Sequence, residues 1–196
     1  VHAFAEVARR ARIEPELTRA FFASMRRDLD TVDFDEHEYR RYVHGSAEVV
    51  GLMCLRVFLR NRPVPREDLA TLEEGAARLG AAFQKVNFLR DLGHDRTELS
   101  RSYLPELREH GLTEASKAAV VADIRADLDV ARAATHALPH DTRRPVLLAT
   151  AVFAELLRRI ERTPAERLAS ERISVPTRVK LALAVRWGVL PLGARR

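Results

Sequence analysis

A chain of 196 residues, 46% hydrophobic and 31% charged, can bury one good core and has the make-up of an ordinary soluble domain; no apolar run approaches the length needed to span a bilayer. A formal net charge of +5 suits anionic small molecules or an acidic lipid surface, but it is too small to argue for nucleic acid, and the basic residues sit beside acids rather than in a patch interleaved with aromatics. A single cysteine, Cys54, excludes a disulfide framework and points to a reducing compartment.

Leu, Ala, Arg and Glu dominate while aromatics make up 6% and glycine only eight positions, so the expected class is all-α, with residues 1–196 in one domain. The first helical pattern, from Val1 to about Arg12, begins without an initiator Met or a cap, which predicts a missing upstream portion. Pro15 and Glu16 open a second helix through Leu17, Phe21, Phe22 and Met25. The acids Asp28, Asp30, Asp33 and Asp35 share no helical face, and Asp35 with Glu38 reads as a capping box, so this stretch is predicted to be a turn rather than a cation site.

From Glu36 to about Leu59 the pattern is helical, and Tyr42, Gly45, Ser46, Val49 and Met53 fall on one face whose middle is small. Asn61 to Pro65 is a break. Pro65 to about Asp95 then reads as one long helix with an acidic entry at Glu67, Asp68, Glu73 and Glu74. On this helix Gln84, Asn87, Asp91 and Asp95 fall within a sector of about 80°, at about 100° per residue. The same stripe continues to Gly80 and Ala77, where a core helix would carry Leu or Ile.

Two carboxylates one turn apart, ~6 Å, repel by roughly 2 to 3 kcal/mol at an effective dielectric of about 20, and a divalent cation relieves that. Mg²⁺ takes a few protein oxygens and fills its other positions with water and substrate phosphates. Asp91, Asp95 and Asn87 are therefore candidate ligands of a Mg²⁺–diphosphate site at the mouth of an apolar cavity. A solvated acidic face is the alternative, and helices packed closely across glycine and serine are the alternative to a cavity between the two thinned helices.

After Asp95 the sequence Arg96 to Pro105 reads as a loop or flap, and Pro105 to His110 as a short helix ended by Gly111. Thr113 caps a long helix to about Leu138, whose Asp123, Arg125, Asp127 and Arg132 read as a solvated face. His136 and His140 lie in a turn with no third ligand. Pro145 is expected to open a further helix, apolar nearly all round, through Phe153.

The pattern Gln84-x-x-Asn87-x-x-Arg90-Asp91-x-Gly93-x-Asp95, followed by Tyr103-Leu104-Pro105, resembles the second aspartate-rich motif of the squalene/phytoene synthase family, the head-to-head prenyl transferases. The resemblance implies a helical bundle around an apolar cavity and a two-stage reaction. One prenyl diphosphate ionises and attacks a second to form a cyclopropylcarbinyl diphosphate, and a second ionisation rearranges it. It implies Mg²⁺, with Mn²⁺ as a substitute, and NADPH only for a squalene-type product. Geranylgeranyl diphosphate to phytoene is the expected reaction, with a farnesyl-using squalene or dehydrosqualene synthase, or a non-catalytic assembly protein of the same fold, as alternatives. A cytoplasmic location, with peripheral membrane contact for product release, goes with it.

Carried over residue by residue, Tyr42 and Gln84 match polar groups near the reacting head. Arg172 and Lys180 match two basic residues that the family turns toward phosphate oxygens, and Arg90 of the motif adds to their positive field. Gly51 and Met53 match the family's prenyl channel, with Gly45, Ser46, Val49, Ala77 and Gly80 expected to line the same cavity from their helix faces. Asp28 matches an acid of the family's connecting loop, and Arg101 stands in its flap. Two departures stand out: Glu48 occupies a position where many members have Gly, and Phe153 one where the family has a Tyr that approaches the diphosphate. The family's first aspartate-rich motif is expected before Val1, and these 196 residues alone are expected to show little turnover.

Overall fold

The computed structural model describes residues 2–27, 29, 34–97 and 103–187, with the side chains of 94–97 outside that description. Asp28, Asp30, Asp33 and Arg101 lie outside the described residues, and so does the side chain of Asp95, although its backbone continues the long helix.

The described elements are helical, with no strand among them. In chain order they are α1 (His2–Ala11), α2 (Pro15–Arg27), α3 (Glu36–Val43), a π-helical turn (His44–Glu48), α4 (Val49–Phe58), α5 (Arg66–Thr97), α6 (Pro105–His110), α7 (Glu114–Ala134), a 3₁₀ turn (Thr135–Ala137), α8 (His140–Arg162), α9 (Ala165–Leu168) and α10 (Thr177–Arg186). The caps follow the local chemistry. Asp35 accepts the Glu38 amide at 2.7 Å, Thr113 and Ser116 form a reciprocal capping box, and Gly111 ends α6 at φ 69°.

Two boundaries differ from expectation. The helix from Glu36 is interrupted by the π turn, which carries Gly45, Ser46 and Ala47. The helix expected to open at Pro145 begins at His140, with Pro139 as its cap and Pro145 inside it. Pro139 supplies the carbonyl that accepts the amides of Thr142 and Arg143, so the start is established before Pro145 is reached. Arg62 fixes this end by pairing with Asp141 at 2.6 Å.

α5 is the axis of the fold, 32 residues or about 48 Å long, with Ala82, Val86 and Leu89 sealed from solvent. It runs antiparallel to the π turn and α4, and the two come into backbone contact. A Cβ built on Gly80 would lie 2.3 Å from the Ala47 carbonyl oxygen, and one on Gly51 would lie 2.1 Å from that of Ala76. The small residues bring these two helices together at Ala47–Gly80 and Gly51–Ala76, and the apolar space that both helices line opens beside those contacts, toward α7 and α8. Gly80→Ala should destabilise the protein by about 1–3 kcal/mol in urea unfolding, because the neighbour that must move is backbone.

The far side of α5 corrects a second expectation. Asp127 of α7, read as solvated, is 3% exposed and accepts from Lys85 Nζ at 2.7 Å and from Arg78 at 3.1 Å. Lys85 is itself 8% exposed and also reaches Asp123 at 2.5 Å. Burial alone would lower the Lys85 ammonium, but the two carboxylates outweigh it and hold its pKa above the ordinary lysine value.

Candidate active site

Four helices line an apolar cavity of about 330 Å³ that is open on one side. Val50, Gly51, Cys54 and Phe58 of α4 face Ala76, Leu79, Gly80 and Phe83 of α5, with α7 and α8 closing the side. Phe83 stacks on Phe153 of α8 at 3.8 Å between ring centroids, so the phenyl ring that replaces the family's tyrosine packs at the cavity wall.

The polar groups of α5 begin where that lining ends. Gln84 is half-buried and follows Phe83; Asn87 lies one turn on, and Asp91 one turn beyond that, about 16 Å along the axis from Gly80. The Oδ1 atom of Asn87 is buried and has no hydrogen-bond partner, an arrangement that costs on the order of 1–3 kcal/mol unless a ligand satisfies it.

Asp91 is held between two cations. Arg90 donates to both of its carboxylate oxygens, with Nε at 3.0 and 3.1 Å, and Arg172 Nε donates to Oδ1 at 2.7 Å from the segment before α10. Partial burial pushes the Asp91 carboxyl up, and the two guanidiniums more than offset this, leaving it below the usual carboxylate range. A close contact positions the segment that carries Arg172: Gly93 of α5 lies against the Ala169 carbonyl, where a Cβ would meet the oxygen at 2.4 Å.

The remaining expected site residues have varied surroundings. The Tyr42 ring sits 6% exposed in an aromatic cluster with Phe34, Phe88 and Tyr103, with Tyr103 stacked on Phe88 at 4.5 Å. Lys180 is exposed on α10 and pairs with no acid among the described residues. Of the residues expected to form a prenyl channel, Gly51 and Gly80 line the cavity, whereas Gly45, Ser46, Val49, Met53 and Ala77 do not. Gly45 packs against Ser24 and the Ala20 carbonyl, Val49 is sealed at 0% exposed, and Ser46 Oγ is buried without a partner. The lining of α7 and α8, Ala131, Ala134, Val146 and Ala149 among it, was not legible as such. Its one signal in the sequence is the run of small residues at helical spacing.

The family model described as squalene/phytoene synthase matches residues 1–179. The chain belongs to the squalene/phytoene synthase family. Squalene/phytoene synthases are prenyl transferases of the head-to-head type and generally bind diphosphate through a divalent metal. This family member is similar to a farnesyl diphosphate phosphatase of Bacillus subtilis (strain 168), with 33% identity over 113 residues, covering 58% of this chain and 39% of the relative. It is also similar to a chloroplastic phytoene synthase 3 of Zea mays, 36% identical over 119 residues, covering 58% of this chain and 27% of the relative. The matched stretch thus spans well under half the length of either curated relative.

The residues present fit a divalent cation. No cluster of three His, Cys, Asp or Glu side chains stands ready for a metal among the described residues, but Mg²⁺ needs only one or two carboxylates beside its waters and phosphates. The Asp91 carboxylate and the orphaned Asn87 carbonyl oxygen are hard donors of that kind. Among the described residues no helix is long and apolar enough to cross a membrane.

Proposed function

We propose that the polypeptide carrying this chain condenses two prenyl diphosphates head to head, with geranylgeranyl diphosphate as substrate and phytoene as product. The observation that supports this most is the order of groups along α5: an apolar cavity ending at Phe83, then Gln84, then the unpartnered Asn87 Oδ1, then Asp91 between two arginines. An apolar tail and a diphosphate head need those two environments at opposite ends of one site.

The tail would lie in the cavity, where each buried methylene contributes about 0.8 kcal/mol and the bound tail itself would displace water that could quench an allylic cation. Asp91, Asn87 and, by the family motif, Asp95 would hold Mg²⁺ or Mn²⁺, which when bound stabilises charge on the departing diphosphate. Arg90, Arg172 and Lys180 would add to the positive field around that head, with Gln84 and Tyr42 orienting it. Farnesyl diphosphate is the alternative substrate, giving dehydrosqualene, or squalene where NADPH supplies a hydride.

A second reading draws on the Bacillus relative: ionisation of one prenyl diphosphate followed by capture of the cation by water, releasing a prenyl alcohol. Incubation of the polypeptide carrying this chain, rather than of residues 1–196 alone, with Mg²⁺ and either farnesyl or geranylgeranyl diphosphate, followed by product analysis with and without NADPH, separates these outcomes. A C40 hydrocarbon from geranylgeranyl diphosphate is the expected product. An alcohol alone would favour the hydrolytic reading, and no consumption of either substrate would favour a non-catalytic family member.

A further inference from the structure

A second basic feature adjoins Asp91 on its outer side. Arg158, Arg159 and Arg162 from the last turns of α8, Arg167 of α9 and Arg172 converge on a cleft of about 430 Å³, with Thr163, Ser174 and one acid, Glu171, on its wall. The first three share a side of α8 because their spacings are one, three and four residues. Cations are common at a helix C-terminus, where they complement the dipole. This helix end, however, already has one: Lys117 of α7, 3% exposed, donates Nζ to the Thr163 carbonyl at 2.7 Å and to that of Glu161 at 3.3 Å.

The arginines are also under-neutralised. Glu155 pairs with Arg158 and Arg159, at 2.6 and 2.7 Å, and Glu171 pairs with Arg167 at 2.7 Å. Arg162 has no ionic partner among the described residues, and Arg172 uses its Nε on Asp91 while 69% of its side chain stays exposed. Five guanidiniums around one cleft repel one another, and each is a planar fork matched to phosphate oxygens.

We propose that this cleft is an anion subsite for inorganic diphosphate, separate from the Asp91–Asn87 position and joined to it by Arg172. Its charge is independent of any assigned reaction. The choice of diphosphate rests on the prenyl diphosphate reading, in which diphosphate is the leaving group. A leaving group released beside Asp91 would find Arg172 already reaching into a second cationic site that leads to solvent.

The test is calorimetric titration of the protein with sodium pyrophosphate in EDTA, so that no divalent cation bridges it to Asp91. Wild-type protein should show one saturable site whose affinity falls as salt rises. Arg159→Gln/Arg162→Gln should weaken it by about tenfold or more, since two charge-assisted contacts are lost. Asp91→Asn should leave it unchanged or tighten it by freeing Arg172. Arg162 is exposed and Arg159 is half-buried, with 32% of its side chain exposed, so an unchanged thermal midpoint is required to verify that the fold survives. No binding to wild type, or loss on Asp91→Asn with retention in the double variant, overturns the proposal. So does arginine-dependent adsorption to phosphatidylglycerol vesicles without pyrophosphate binding, which would make the cleft a membrane contact. Because the titration involves no turnover, it can fail while prenyl transfer is observed, and can succeed where prenyl transfer is absent.

Discussion

Asp91→Asn is expected to cut Mg²⁺-dependent release of diphosphate from a prenyl diphosphate by about a hundredfold, the upper end of the loss seen when a group that merely orients a metal ligand is removed, because Asp91 is proposed to hold the metal itself. Asparagine keeps the size of the side chain and removes the charge that Arg90 and Arg172 now share. The measurement is initial rate against free Mg²⁺, and rates within about threefold of wild type at saturating metal would count against Asp91 as a ligand.

Arg172→Gln should give a different signature at the same carboxylate. If Asp91 holds the metal as proposed, Arg172 and a cation would compete for its Oδ1 in the absence of diphosphate, so removing the guanidinium should tighten binding of Mg²⁺ alone. With substrate present, the same variant would lose a positive charge from the proposed head-group site, and its KM should rise. Tighter metal with weaker substrate is the pattern that assigns Arg172 to both partners in turn. A uniform loss of both would indicate that it merely holds the segment from Ala169 to Val175 in place.

The largest effect on stability is expected from Lys85→Met, at about 3 kcal/mol in denaturant unfolding. Removing one partner of a buried ion pair typically costs about 3–5 kcal/mol, and here Arg78 still reaches Asp127 at 3.1 Å, which sets the lower end. Adding Asp127→Leu should recover part of the loss, since the orphaned carboxylate rather than the missing ammonium carries most of the penalty. The folded-state pKa of Lys85 lies above the ordinary lysine value of 10.5. The stabilisation is therefore fully present below that value and is lost as pH rises through the raised one. A stability loss under about 1 kcal/mol for the single variant would mean that water reaches Asp127 readily.

Much of the fold can be read along the chain because caps and periodicity are local. Asp35 with Glu38, Thr113 with Ser116 and Gly111 after α6 each act within a few residues, and the Gln84–Asn87–Asp91 stripe follows from helical geometry alone. The placement of small residues was harder. Gly80 on a polar stripe is equally consistent with an open channel and with a neighbour pressed against it, and the structure makes it both: its would-be Cβ meets the Ala47 carbonyl at 2.3 Å, while the residue still lines the cavity. Asp127 presents the same problem in reverse, because an acid at a helical spacing among arginines looks solvated until Lys85 arrives from another helix 42 residues away.

By itself, then, the sequence determined the helical class, the family motif and the run of polar groups on α5, since each depends on residues within a few turns of one another. Only the tertiary structure decided which helices wall the cavity, that Arg172 reaches Asp91 across 81 residues, and that Tyr42 joins an aromatic cluster. Those are contacts between distant segments, fixed by how whole helices pack, and a side chain's own spacing says nothing about what the opposing helix brings to it.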